Sequence, residues 1–338
     1  MKKRKSITDI ARELNVAIST VSAVLNGKTE ERRIGEATKK RVLDYTLNAG
    51  YKPNQIARSL RTGKSNIIGM LVEEIANPFF AEITSKVEKK AAQHNYELIY
   101  SSTENDVNKI DRLITTYKNR QVDGFIIAPT IGSEKKIKEL IEDKTPLVLF
   151  DRYLPTLATN NVLINNFNGI YIAMEHLKKS GYMNIGFIST NSRQTNMQDR
   201  LSGYRSFVNE HNWDASILEI DFKIGDTIKP SVISKYLLKN LQLDALIFST
   251  NYIALCGLSA LQQIQKSISK TYGIISFDDN THFDLFKPSI TTIAQPIEDI
   301  AEGIIQTLLL KMKEENYNSP IITKTFEPKL IIRESTKK

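Results

Sequence analysis

From Ile67 onward the chain repeats one pattern: a short apolar run, then an amphipathic stretch of helical period, then another apolar run. The strand candidates are 67–72, 97–101, 124–128, 147–150, 162–164, 185–189, 245–249 and 273–277. Between the first two, Phe80, Ile83, Val87 and Ala91 fall on one helical face, and further helices are expected over 168–179, 199–209, 230–240 and 252–265. Unbroken apolar strands must be covered on both faces. The βαβα order therefore predicts an α/β fold of parallel sheets with helices on each side. The stretch is long for one such sheet, so two similar lobes are expected.

The first 65 residues read differently. They hold 15 Lys and Arg against 6 Asp and Glu, a net of +9 in a chain whose total is +8, so the remainder is close to neutral. A basic module on a neutral body points to a polyanion partner. Ser6 and Asp9 form a helix-start signature, followed by Ile10, Ala11 and Leu14 at helical spacing. After the turn 15–17, a second helix is expected over 18–26, ended by Asn26-Gly27, and a third from Gly35 to Asn48-Ala49-Gly50. Pro53 opens a short fourth helix, 54–61, and 62–66 is a polar linker. Two short helices across a tight turn near a basic terminus read as a helix-turn-helix, an all-α module whose second helix enters the DNA major groove. An ordinary helical hairpin is the alternative. Isolated helices as short as 54–61 are unstable in water, so that helix needs a partner or a duplex; Leu60 between Arg58 and Arg61 suits a minor-groove wedge.

Several classes are excluded. No stretch approaches ~18 apolar residues, so no membrane helix is expected. The basic start, residues 2–5, is not followed by an apolar segment, because Asp9, Arg12 and Glu13 interrupt it, so secretion is not expected. The single cysteine, Cys256, leaves no internal disulfide and no cysteine zinc site, which suits a reducing cytoplasm. The four histidines, 94, 176, 211 and 282, lack metal-ligand spacing. Gly63-Lys64-Ser65 ends like a phosphate loop, but Arg58 stands where its first glycine belongs. Gly257-Leu258-Ser259 is half a nucleophile elbow without its second glycine. No cofactor and no metal are expected.

In the body, polar residues sit just after strand candidates: Asp151-Arg152, Asn251, and Asp278-Asp279. Ligands bind at the carboxyl ends of parallel strands, so these positions fit a pocket. Loop capping and salt bridging would produce the same placement.

Together these residues resemble the lactose-repressor/galactose-repressor (LacI/GalR) family of bacterial transcription regulators. The resemblance spans nearly the whole chain. Residues 7–11, Thr20-Val21-Ser22 and 24–27 look like its helix-turn-helix, and 50–54 with 57–60 resemble its hinge helix. Asn77-Pro78-Phe79-Phe80, Asp123-Gly124, Asp151-Arg152, His176-Leu177 with Gly181, Arg200 with Gly203-Tyr204, Phe277-Asp278-Asp279, 291–296 and Arg333-Glu334-Ser335 continue it in order.

The resemblance implies a two-lobed, periplasmic-binding-protein-like effector domain and a homodimer on a pseudopalindromic double-stranded DNA operator. The implied effector is a small molecule, a sugar or sugar derivative, with a purine-type corepressor as the minority case. The implied division is 1–61 for DNA binding with hinge helix 54–61, then 67–333 for effector binding and dimerisation. Its first lobe would be 67–163 and 295–322 and its second 164–291 and 323–333, with crossings near Ile164, 290–295 and 321–325. The implied DNA-contacting residues are Thr8, Ile18, Ser19, Thr20, Ser22, Ala23, Asn26, Tyr51, Asn54, Ala57, Arg58 and Leu60. The implied ligand residues are Phe80, Asp151, Arg152, Arg200, Asn251, Asp278 and Gln295.

Three departures stand out. Ala23 occupies a place where many members have a base-reading arginine. Ala17 replaces a helix-capping serine, which costs about 1 kcal/mol of cap stabilisation. Asn165 and Tyr252 replace acids common in the family. The reading competes with two others. A sugar-modifying α/β enzyme with an accessory DNA domain lacks a complete nucleophile, metal or phosphate constellation. A transport-type binding protein does not account for the basic first 65 residues.

Overall fold

The computed structural model describes residues 5–51, 63–221, 228–264, 272–313 and 320–337. The chain divides into two compact units, Met1–Ser65 and Asn66–Lys338.

The first unit contains three described helices, α1 (Ile7–Glu13), α2 (Ile18–Leu25) and α3 (Glu36–Asn48). The expected cap of α1 forms in both directions: Asp9 N–H donates to Ser6 Oγ at 3.2 Å, and Ser6 N–H donates to Asp9 Oδ2 at 2.9 Å. Two of the helix's orphan N-terminal donors are thereby satisfied. Ala17 caps α2 with its backbone only, without a side-chain bond. Ile10, Ala11, Val21, Val24 and Val42 close a small core. The hinge segment 54–61, with Asn54, Ala57, Arg58 and Leu60, lies outside the described residues.

The second unit contains two six-stranded sheets. The first comprises β1 (Ile67–Val72), β2 (Glu97–Ser102), β3 (Gly124–Ile127), β4 (Leu147–Phe150), β5 (Asn160–Ile164) and β11 (Thr323–Phe326), all parallel, in the order β11-β5-β4-β3-β1-β2. The second comprises β6 (Ile185–Thr190), β7 (Ser216–Ile220), β8 (Ala245–Phe248), β9 (Gly273–Phe277), β10 (Thr291–Ala294) and β12 (Lys329–Ile331). Its order, β12-β10-β9-β8-β6-β7, repeats the first, except that β12 runs antiparallel to β10. Both are doubly wound sheets whose strand order reverses beside the first strand, which places a crevice at the strands' carboxyl ends.

The chain crosses between lobes three times: after β5, after β10, and between β11 and β12. The last crossing corrects the expected one. Residues 323–326 belong to the first sheet, paired with 161–164, so the chain leaves the first lobe after Phe326. Ile164 likewise ends a strand of the first sheet.

Helices cover both faces: α4 (Pro78–Gln93), α5 (Val107–Asn119), α6 (Glu134–Glu142) and α11 (Ile297–Lys313) on the first sheet, and α7 (Asn166–Lys179), α8 (Thr195–Glu210), α9 (Pro230–Lys239) and α10 (Asn251–Gln263) on the second. Phe80, Ile83, Val87 and Ala91 are buried on one face of α4, as their spacing predicts. Helices α7 and α8 pack closely because Gly203 has no side chain; a Cβ there would lie 2.5 Å from the Phe167 carbonyl oxygen. Tyr204 is fully buried, and its hydroxyl donates to Ile185 O at 2.8 Å and accepts from Ser216 N–H at 2.9 Å. Gly257–Leu261 lies within α10, so the half-elbow is ordinary helix.

Candidate functional site

In the first unit, α2 exposes Ile18 (48%) and Ser19 at its N-terminal end, with Thr20 and Ser22 half-buried. Small and polar side chains here permit close approach to a groove. Thr8 and Asn26 are exposed, and the Asn26 side chain folds back to donate to Ser22 O at 2.6 Å. Tyr51 packs against the helical core. Ala23, next after Ser22 along α2, is buried.

In the second unit the strand ends converge on a buried polar cluster. Asp151 and Arg152 follow β4, and Asp278 follows β9 in the other sheet. Both aspartates adopt left-handed backbone conformations, φ 67° and 66°. Asp151, Arg152, Arg200, Asn251 and Asp278 are all buried. Arg200 reaches from α8: its Nε donates to Asn166 Oδ1 at 2.9 Å and its Nη1 to Ser249 O at 2.7 Å. The guanidinium lies 3.5 Å from the centre of the Phe277 ring. Its Nη1 stands 3.8 Å from Asp278 Oδ2, so the two do not satisfy each other by direct hydrogen bonding. Gln295 instead donates to Asp278 Oδ1 at 2.6 Å.

Contacts also cross between the lobes. Asn196, on α8, donates to Asp151 Oδ2 at 3.1 Å, and Tyr153 N–H donates to Thr195 Oγ1 at 3.2 Å. Phe80 belongs chiefly to the first lobe's core, edge-on to Phe150, and so supports the strand end that carries Asp151.

The same pattern brings in residues that the sequence reading passed over: Glu73, Asn166, Asn196 and Ser249. Glu73 directly follows β1, Asn166 follows the crossing after β5, and Ser249 follows β8. The rule that found Asp151 and Asp278 applied to these positions too. Glu73 accepts from Arg152 Nη2 at 2.5 Å.

Electrostatics follow from burial. Burial raises the Asp151 carboxyl above its ordinary range, opposed by Arg152 and Arg200. Burial likewise raises Asp278, opposed by Arg200 and Gln295. The Tyr252 hydroxyl is pushed up to about 12, first by burial and then by Glu73. Within this cluster, among the described residues, four donor atoms are buried without a hydrogen-bond partner: Arg152 Nε and Nη1, Ser249 Oγ and Asn251 Nδ2. Buried donors of this kind are costly unless a water or ligand completes them. Donors and carboxylates from both lobes suit a small molecule with several hydroxyls, each of which can donate and accept. No group of His, Cys, Asp and Glu among the described residues could hold a metal ion.

Two family models match this chain: bacterial regulatory proteins of the lacI family over residues 6–54, and a periplasmic binding protein-like domain over residues 174–336. The HTH-type transcriptional regulator RegA of Clostridium saccharobutylicum is 32% identical over 98% of this chain and 99% of its own length. The ribose operon repressor of Halalkalibacterium halodurans is 30% identical over 98% and 97%. A crystal structure of the lac repressor dimer bound to operator and the anti-inducer ONPF covers 99% of this chain and 100% of its own, with a TM-score of 0.84 at 17% identity, a likeness of fold. The chain belongs to the lacI family of bacterial regulatory proteins, and it is a transcriptional regulator rather than an enzyme.

Proposed function

We propose that this regulator is a repressor that grips operator DNA as a homodimer through its first 61 residues, and that a sugar or sugar-like polyol held between its two lobes sets that grip. The observation that carries the reading is the set of buried, partnerless donors on both lobes, Arg152 on one and Ser249 and Asn251 on the other, beside the carboxylates Asp151 and Asp278. A ribose operon repressor at 30% identity and a PurR repressor at 29% are about equally similar to this chain, so the sugar reading rests on the donor set and not on kinship. Asp151, Arg152, Arg200, Asn251, Asp278 and Gln295 hold the ligand. Ile18, Ser19, Thr20 and Ser22 face the major groove. A ligand changes DNA affinity only by binding one arrangement of the lobes better than another. The described helices include none long and apolar enough to cross a membrane. A regulator that grips operator DNA would work in the cytoplasm, where that DNA is.

Thermal unfolding across a panel of free pentoses, hexoses, disaccharides and purines tests the effector, since a specific ligand raises apparent stability by mass action. The same compounds should shift mobility of the protein on DNA from its own gene neighbourhood. Log affinity for that DNA should fall linearly with log salt concentration. Salt-independent association would refute the DNA reading, and a purine as the sole stabilising compound would refute the sugar.

A further inference from the structure

The buried cluster between the lobes contains Glu73, Asp151 and Asp278 against Arg152 and Arg200. Three carboxylates face two guanidiniums. Tyr252 stays neutral, with its hydroxyl held near 12. Even with one aspartate protonated, the cluster has no net positive charge to offer an anion.

Arg152 is the side chain that would otherwise attract one. It is 2% exposed, and its Nε and Nη1 lack hydrogen-bond partners. A buried guanidinium with two unpartnered nitrogens is a strong receptor for phosphate or carboxylate. Here Glu73 Oε2 sits 2.5 Å from Nη2, and Asp151 Oδ2 sits 3.3 Å from Nε, outside hydrogen-bond alignment. The charge is met, yet the donors remain available. Glu73 is itself only 15% exposed, so solvent screens this pair weakly.

We propose that Glu73 is a selectivity residue: by neutralising Arg152 while leaving Nε and Nη1 able to donate, it makes the cleft accept uncharged polyhydroxylated molecules and reject those bearing phosphate or carboxylate. The proposal deepens the effector reading above and rests on it for the identity of the site. A hydroxyl oxygen can accept from Nε or Nη1 without bringing charge. A phosphate brings one or two further negative charges beside two buried carboxylates and a mostly covered third, where repulsion is weakly screened.

The test uses the full chain as wild type, Glu73→Gln, Glu73→Ala, Arg152→Gln and the double variant Glu73→Gln/Arg152→Gln. The probes are inorganic phosphate, D-ribose and ribose 5-phosphate, read by thermal unfolding and titration calorimetry at matched ionic strength. The basic N-terminal unit also attracts phosphate, so only the response lost with Arg152→Gln is scored. Wild type should show no Arg152-dependent response to phosphate. Glu73→Gln and Glu73→Ala should gain on the order of tenfold or more in phosphate affinity, and the gain should vanish in the double variant. The ratio of ribose 5-phosphate to ribose affinity should rise by a similar factor. Arg152-dependent phosphate binding by wild type would overturn the proposal, as would a folded Glu73 variant without the gain. If either Glu73 variant fails to fold, the other and the wild-type measurement still decide. If ribose and every other sugar fail to bind, the effector reading falls, while the phosphate comparison still reports the charge state of Arg152.

Discussion

Removing Arg200 should destabilise the second unit by about 3 kcal/mol at neutral pH, and the loss should shrink in acid. Arg200→Ala deletes two charge-assisted hydrogen bonds, to Asn166 Oδ1 and Ser249 O, each worth about 1.5–3 kcal/mol in a buried setting. It also strips the Phe277 face and leaves Asp278 with Gln295 as its hydrogen-bonding partner. Deleting one member of a buried pair costs about 3–5 kcal/mol. The low end applies because the Arg200–Asp278 separation is 3.8 Å, beyond direct hydrogen bonding. The single tryptophan, Trp213, packs on Phe207 in the second lobe, so its emission reports unfolding there. In urea the midpoint should fall by about 1 M with little change in slope. The pH dependence identifies the cause. Asp278 is raised above its unfolded value by burial, and Arg200 opposes that rise, so the variant's Asp278 is raised further. A raised carboxyl binds its proton sooner in the folded state than in the unfolded one. The penalty is therefore full at high pH and fades as pH falls through the folded value toward the ordinary carboxylate range. The difference from wild type should be smaller at about pH 5 than at about pH 8, and Asp278→Asn should weaken that trend, leaving the part that Asp151 supplies. A loss below about 1 kcal/mol, or a pH-independent one, would refute the account.

Gly203→Ala should cost about 1–3 kcal/mol by the same tryptophan assay, because its Cβ would meet backbone that must shift for both helices. Ala17→Ser should stabilise the first unit by about 1 kcal/mol, seen as a higher helical melting temperature, since the present cap makes no side-chain bond. Hydrogen bonds from Lys90, then Lys86, hold Glu298 at about 2, and a lowered carboxyl contributes stability above 4.5 that is lost as pH falls through about 2. Glu298→Gln should flatten acid unfolding over that window, and salt should weaken the effect because the pair is exposed.

The parts of the fold that bury continuous apolar runs were legible in the sequence. Ile67–Val72, Leu147–Phe150 and Gly273–Phe277 form strands with the bounds that their composition predicts. The edge strand Thr323–Phe326 was not, because it alternates exposed and half-buried residues and pairs with residues some 160 positions earlier. No local pattern encodes that partner, and the last crossing was accordingly misplaced. At the site, Asp151 and Asp278 stood out as acids directly after strands. Glu73 obeys the same rule, but beside Glu74 it reads as a solvated charged loop until Arg152 is seen upon it.

The left-handed backbone at Asp151 and Asp278 limits how this family of sites can diversify. At φ 67° and 66° most side chains are strained, while glycine, asparagine and aspartate are tolerated. Mutation at these two places therefore draws from a short alphabet: Asp to Asn exchanges an acceptor for a mixed donor and acceptor at little backbone cost, and Asp to Glu does not come so easily. New ligand preferences are reached more readily through the neighbours in ordinary conformations, such as Arg152, Asn196 and Tyr252. A designer seeking a different effector would hold the two turn aspartates fixed and randomise those three.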